Sequence, residues 1–87
     1  MSKTAFITGA GGYIGSETAI LLAKDGINIA VCDINRESID KTVAKIEAVG
    51  GVAKGYPCDV TDPKAVENAI RQAAGDFGGF DILVHVA

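Results

Sequence analysis

The stretch Thr8-Gly9-Ala10-Gly11-Gly12-Tyr13-Ile14-Gly15 decides the fold, because of what lies on either side of it. Before it runs an apolar segment, Lys3 to Thr8, short enough for a buried strand and closed by Gly9. After it, Ile14, Thr18, Leu21 and Leu22 recur at i, i+4, i+7 and i+8. That spacing predicts an amphipathic helix over Ile14 to Asp25 with those four residues on its inner face. A glycine-rich turn between a strand and a helix suits a pyrophosphate. Gly9 permits the tight turn, Gly12 lets backbone approach the phosphates, and Gly15 lets the helix pack closely. Tyr13 and Ile14 open the helix, whose first N–H groups and partial positive charge favour an anion.

Outward from this turn the apolar pattern changes period in a regular order. Gly26 suits the left-handed position after the first helix, and Ile27 to Cys32 is a second β-branched run. Asn35 is a helix cap for Arg36 to Val49, whose Ile39, Val43 and Ile46 face inward before Gly50-Gly51 ends the pattern. Val52 to Pro57 reads as a third strand, weakened by Lys54 and Gly55. Asp62-Pro63 then starts a helix, the Asp oxygen accepting from free N–H groups while Pro at the first helical position sacrifices no bond. Val66, Ala69, Ile70, Ala73 and Phe77 form its buried stripe, Gly78-Gly79 breaks it, and Asp81 to Val86 is a fourth strand. The alternation β-α-β-α-β-α-β implies right-handed crossovers and a doubly wound parallel sheet, an α/β fold of Rossmann type.

Composition narrows the function. Eighty-seven residues make one domain at most, and a hydrophobic share of 48% argues against disorder. A net charge of −3 without a basic cluster argues against nucleic acid as partner. No 18-residue apolar run and no charged-then-apolar leader is present, so neither membrane span nor signal peptide is expected and the location is read as cytoplasmic. Cys32 and Cys58 are too few and too far apart in sequence for a disulfide framework or a Cys-x-x-Cys metal site, and read as small buried hydrophobes.

Asp33 ends the second strand, 18 residues after Gly15, near the spacing of about 20 expected of a ribose-binding acid. A carboxylate there accepts from ribose hydroxyls and repels a 2′-phosphate, which selects NAD over NADP. A helix-capping Asp is the plainer alternative. Arg36 would partly offset the repulsion, though a first-turn Arg exposed to solvent is the simpler account.

With these residues in place, the chain resembles the short-chain dehydrogenases/reductases along its whole length. The resemblance rests on the glycine turn Thr8 to Gly15, Val31-Cys32-Asp33-Ile34-Asn35, Cys58-Asp59-Val60-Thr61-Asp62, and Asp81-Ile82-Leu83-Val84-His85-Val86-Ala87. It implies that Asp59 hydrogen-bonds the adenine amino group, with a turn or cap residue as alternative. It further implies that Val60 packs on the adenine ring, that Ala87 lies beside the cofactor, and that the strand order is 3-2-1-4. The implied activity is hydride transfer between NAD and an alcohol or carbonyl, with a small-molecule substrate and a homo-oligomer as the working assembly. A nucleotide-binding or interaction module without turnover is the alternative reading. A methyltransferase of similar topology fits the Thr8-Gly9 opening and the Asp59-Val60 pair less well.

The sequence departs from the family in two places. The main branch carries Thr-Gly-x-x-x-Gly-x-Gly, whose middle Gly falls at Tyr13, whereas Gly12 matches the Thr-Gly-x-x-Gly-x-x-Gly of the extended branch. The other markers resemble the main branch more. The fourth strand ends His85-Val86-Ala87 in place of Asn-Asn-Ala-Gly, so His85 is read as a strand-end residue beside the cofactor ribose and not as a general base. The family's catalytic Tyr-x-x-x-Lys has no match: Glu17 stands four residues after Tyr13, and Val60 four after Tyr56. No catalytic residue is therefore assigned. Residues 1–87 are expected to be the N-terminal part of one dinucleotide-binding domain, incomplete at the fourth-strand edge, with an apolar edge that favours instability or self-association.

Overall fold

A computed structural model describes residues 3–86, with β1 (Thr4–Thr8), α1 (Tyr13–Lys24), β2 (Asn28–Asp33), α2 (Arg36–Ala48), β3 (Ala53–Pro57), α3 (Pro63–Phe77) and β4 (Ile82–His85). All strand pairs are parallel, in the order β3-β2-β1-β4. Element order and strand order are those expected from the sequence and the resemblance, with ends shifted by one or two residues. The two central strands carry the burial. β1 is buried throughout and β2 over Ile29 to Cys32, the near-continuous apolar pattern of strands covered on both faces.

One face of the sheet packs Ile7, Ile29 and Val31 against Ala19 and Ala23 of α1 and Ile39 and Ile46 of α2. The other packs Phe6, Ala30 and Cys32 against Ala69 and Ala73 of α3, with Tyr56 and Cys58 beside them. The Tyr56 hydroxyl donates to Asp76 on α3 (2.7 Å), and burial, then this neighbour, pushes its pKa above the usual phenol value.

The inner face of α1 differs from the sequence expectation. Gly15, Ser16, Ala19 and Ala23 are buried, whereas Ile14 is 68% and Leu21 63% exposed. The reason is distance: small residues at i, i+4 and i+8 let the helix axis lie close to the sheet, and this close approach turns the larger side chains outward. α2 and α3 follow their predicted stripes.

Helix starts are where local chemistry is most explicit. Asn35 accepts from the Ser38 N–H (3.0 Å), and Asp62 from the N–H groups of Lys64 (3.1 Å) and Ala65 (3.5 Å), with Pro63 entering the helix. Asp62→Ala is expected to lower stability by about 1 kcal/mol, read as a shift of the urea-unfolding midpoint at unchanged slope. An unchanged midpoint would remove the cap from the account of α3.

Candidate nucleotide-binding site

In a parallel sheet all carboxyl ends lie on one side, and here residues that follow β1, β2, β3 and β4 meet there around one crevice. The exits are held in place by backbone bonds that continue the ladders past the strands. Ala10 N–H donates to the Cys32 carbonyl (3.1 Å), Cys58 N–H to Asp33 (2.8 Å) and Val86 N–H to Thr8 (3.2 Å). The loops around the crevice are therefore extensions of the sheet and share its rigidity.

Three glycines of the turn are demanded by the protein itself, and at Gly11 a Cβ would lie 2.7 Å from the Ser38 Cβ and 2.9 Å from Asp33 Oδ2. Gly9 has a φ of +68°, and a Cβ there would press on the Val86 carbonyl. A Cβ on Gly15 would overlap the Gly9 carbonyl group and Ala10, so only glycine lets α1 begin this close to the turn. Gly12 is different. Its φ of −79° and ψ of 174° suit any residue, and a Cβ would meet only the Gly9 oxygen at an ordinary 3.5 Å. Nothing in the fold requires glycine there, so the requirement points outward, to whatever approaches the backbone.

Beyond Gly12, α1 starts without a side-chain cap, unlike α2 and α3. Its first intrahelical bond is Ser16 N–H to the Gly12 carbonyl (2.8 Å), which leaves the N–H groups of Tyr13, Ile14 and Gly15 as free donors at the positive end of the helix. Tyr13 is 82% exposed, so neither it nor Ile14 shields these donors from the approach.

Asp33 is tied to this turn. Its Oδ2 accepts from Gly11 N–H (2.9 Å) and its Oδ1 from Asn35 N–H (3.2 Å), leaving each oxygen a further lone pair for an external donor. Asp33 and Asp59 edge a cavity of about 160 Å³, with Ile34, Val60 and Val86 as apolar walls and Gly9 and Cys58 completing the lining. Ile34 (69% exposed) and Val60 (44%) offer flat apolar surface to a ring. A larger cavity of about 580 Å³ lies at the opposite, amino-terminal end of the strands, near Thr4, Asn28 and Asp81, away from the glycine turn.

Asp59 also has a structural duty. Its Oδ1 accepts from both Thr61 Oγ1 (2.6 Å) and Thr61 N–H (2.9 Å), and these bonds, the hydroxyl's first, hold its carboxyl below the usual carboxylate range. The turn role and the binding role are compatible, because Oδ2 makes neither of these bonds. At the end of β4, Thr8 Oγ1 lies 2.7 Å from His85 Nδ1, which fixes His85 to the end of β1.

Of the residues singled out in the sequence, Gly9, Asp33, Asp59 and Val60 share one cavity, and Gly12, Tyr13, Ile14 and Gly15 form the adjoining helix start. Ala87 lies outside the described residues. Sequence reasoning missed Gly11, whose N–H holds Asp33, and Ile34, Cys58 and Val86 of the cavity lining. For Ile34 a signal existed: a large apolar residue between a strand-ending acid and a helix cap has no core to enter. Thr42 was missed too; its hydroxyl donates to the Ala10 carbonyl (3.1 Å) and anchors the turn from α2.

The fold and this crevice define a parallel α/β unit open at the carboxyl ends of its strands. Residues 3–87 match the family described as short chain dehydrogenase, and the chain belongs to that family. It is 41% identical to the 2,3-dihydro-2,3-dihydroxybenzoate dehydrogenase of Bacillus subtilis over 98% of its own length and 33% of that protein's. Against the cyclohexanol dehydrogenase of an Acinetobacter species the identity is 40%, covering 99% and 34%. Among solved structures, NAD+-bound xylitol dehydrogenase superposes with a TM-score of 0.90 at 43% identity, covering 93% of this chain and 31% of the other. A hydroxysteroid dehydrogenase from Escherichia coli gives 0.93 at 38%, covering 95% and 35%. The chain thus spans about a third of the length of the relatives it matches. Among the described residues no helix is long and apolar enough to cross a membrane.

The two classes of glycine separate experimentally. Gly15→Ala should cost about 1–3 kcal/mol of stability by overpacking, seen in urea unfolding. Gly12→Ala should leave the unfolding midpoint in place while weakening dinucleotide binding by at least about tenfold, ~1.4 kcal/mol. Calorimetry showing undiminished binding by Gly12→Ala would remove the pyrophosphate from this turn.

Asp59 offers a pH test. Its folded pKa is lowered, so its contribution is present above the ordinary carboxylate range and is lost as pH falls through the lowered value. Thr61→Val removes the hydroxyl donor, and an NMR titration of the Asp59 carboxyl should then move upward. No movement would mean that the Thr61 hydroxyl is not what holds it down.

Proposed function

We propose that residues 1–87 are the N-terminal part of a dinucleotide-binding domain and hold NAD for an oxidoreductase that passes hydride between NAD and an alcohol or carbonyl substrate. The observation that carries this reading is the capless start of α1 beside a glycine that the fold does not need, within one crevice with the Gly11-tethered Asp33. Bound there, the nicotinamide group supplies the hydride acceptor or donor. The chain's own residues bind and orient. The N–H groups of Tyr13, Ile14 and Gly15 take the pyrophosphate, Asp33 accepts from the ribose hydroxyls, and Asp59 accepts from the adenine amino group. Ile34 and Val60 flank the ring and exclude water from it.

Preference for NAD over NADP follows from charge. Asp33 would face a 2′-phosphate, and the nearest first-turn cation, Arg36, is engaged with Asp40 (Nε to Oδ1, 3.3 Å). The relatives' names span a dihydrodiol, a cyclic alcohol and diacetyl, which supports a small-molecule alcohol or carbonyl without selecting one. A homo-oligomer is part of the same reading, and the open side of β4, with Leu83 59% exposed, is a surface on which it would form. A cytoplasmic location fits the two free thiols.

The test is a pair of titrations. The described donors and walls gather around the adenosine and pyrophosphate, so ADP-ribose should bind within about threefold of NAD, ~0.7 kcal/mol. Asp33→Ser should reduce the ratio of NAD to NADP affinity by about tenfold or more, the worth of a charge-assisted bond lost to NAD and a repulsion removed from NADP. A native chain that already prefers NADP would sink the role given to Asp33.

A further inference from the structure

Cys32 and Cys58 stand 26 positions apart, yet their sulfurs are 2.6 Å from each other. The pairing of β2 with β3 brings this about. Cys32 is in register with Tyr56, and the ladder continues one step further through Cys58 N–H to the Asp33 carbonyl (2.8 Å), so both side chains point to the α3 face. Both thiols are free. A disulfide bond needs about 2.05 Å between sulfurs, so the two sulfurs have about 0.5 Å to close from the 2.6 Å observed.

The two thiols differ in access. Cys32 is fully buried, and burial, then the Cys58 and Asp33 neighbours, pushes its thiol up so that it stays protonated. Cys58 is 7% exposed and forms part of the lining of the cavity edged by Asp33 and Asp59. An oxidant thus reaches Cys58 through that cavity and reaches Cys32 only through Cys58.

We propose that Cys32 and Cys58 form a thiol–disulfide site beneath the adenosine cavity, closed by a peroxide entering at Cys58 and shielded when a nucleotide fills the cavity. The shielding rests on the functional reading above; the pairing does not. In the first step the Cys58 sulfur, having released its proton to water, attacks one peroxide oxygen. The O–O bond breaks, the departing hydroxide takes up a proton to become water, and Cys58 is left as a sulfenic acid. In the second step the Cys32 sulfur attacks the Cys58 sulfur, the S–O bond breaks, and the Cys32 proton leaves with the hydroxide as a second water. The two sulfurs together lose two electrons, which the peroxide gains. The product joins the end of β2 to the segment after β3, each cysteine being next in sequence to one of the two acids that edge the cavity.

The experiment treats the reduced full chain with hydrogen peroxide, blocks remaining thiols with a maleimide in denaturant, and follows intact mass and peptide cross-links. The expected result is one intramolecular Cys32–Cys58 link, two hydrogens lost from the intact mass and restored by dithiothreitol. Cys32→Ser should leave a sulfenic acid on Cys58 that dimedone traps, whereas Cys58→Ser should leave Cys32 unoxidised. ADP-ribose at ten times its measured Kd should slow closure about tenfold, since only the ligand-free fraction reacts. Oxidation of Cys58 to the sulfinic acid without a link, links only between chains, or equal trapping at Cys32 would each overturn the pairing. Closure unslowed by ADP-ribose that calorimetry shows to be bound would overturn the shielding. If calorimetry shows no binding, the nucleotide reading fails, and the link formed without ligand still decides the cysteine pair.

Discussion

The position in the turn where an added Cβ would meet backbone most closely, Gly15 against the Gly9 carbonyl, is the constraint on which the rest depends. It sets where α1 begins relative to the end of β1. It thereby aims the three free N–H groups of the first turn across the end of the sheet and not into the core. The same approach brings the helix axis so near the sheet that the buried residues of α1 are the small Gly15, Ser16, Ala19 and Ala23, with Ile20 and Leu22 only partly buried beside them. A side chain at position 15 would move the helix outward, and the loss would reach both the packing and the donors. Fold and crevice share this one contact, which is why a glycine here bears on both packing and free donors while nothing in the fold requires one at position 12.

How far each feature was legible depended on whether its cause is local. The caps Asn35 and Asp62 act within three residues, and both were readable because the side chain and its N–H partners are neighbours in sequence. The glycine turn was legible from the strand before it and the helix after it, whereas the tie of Asp33 to Gly11, 22 positions apart, was not. Nor was the inner face of α1. A periodicity search weights large apolar residues and chose Ile14 and Leu21, but the selecting force was interaxial distance, which favours the smallest side chains. Gly55 was read as an interruption of β3, whereas a Cβ there would overlap Ile39, so its smallness admits α2. The nearness of Cys32 to Cys58 was also beyond reach, because it depends on the register of β2 with β3, and a one-residue slip would send one thiol to the opposite face.

Asp33 shows why residues of this crevice resist assignment to a single role. One oxygen steadies the glycine turn through Gly11 and the other the entry to α2 through Asn35. A ribose hydroxyl would be a further donor to a carboxylate that is already held in place, so little rotamer freedom remains to be lost on binding. The arrangement also explains the close fit at Gly11, where a Cβ would sit 2.9 Å from Asp33 Oδ2. Replacing Asp33 by Ala would therefore free two backbone donors and loosen the turn that receives the pyrophosphate, confounding charge with geometry. Ser retains an acceptor for one of them, which makes it the more informative substitution. The charge proposed to discriminate between cofactors and the hydrogen bonds that shape the turn reside in the same carboxylate, and only a replacement that keeps one of them can tell the two apart.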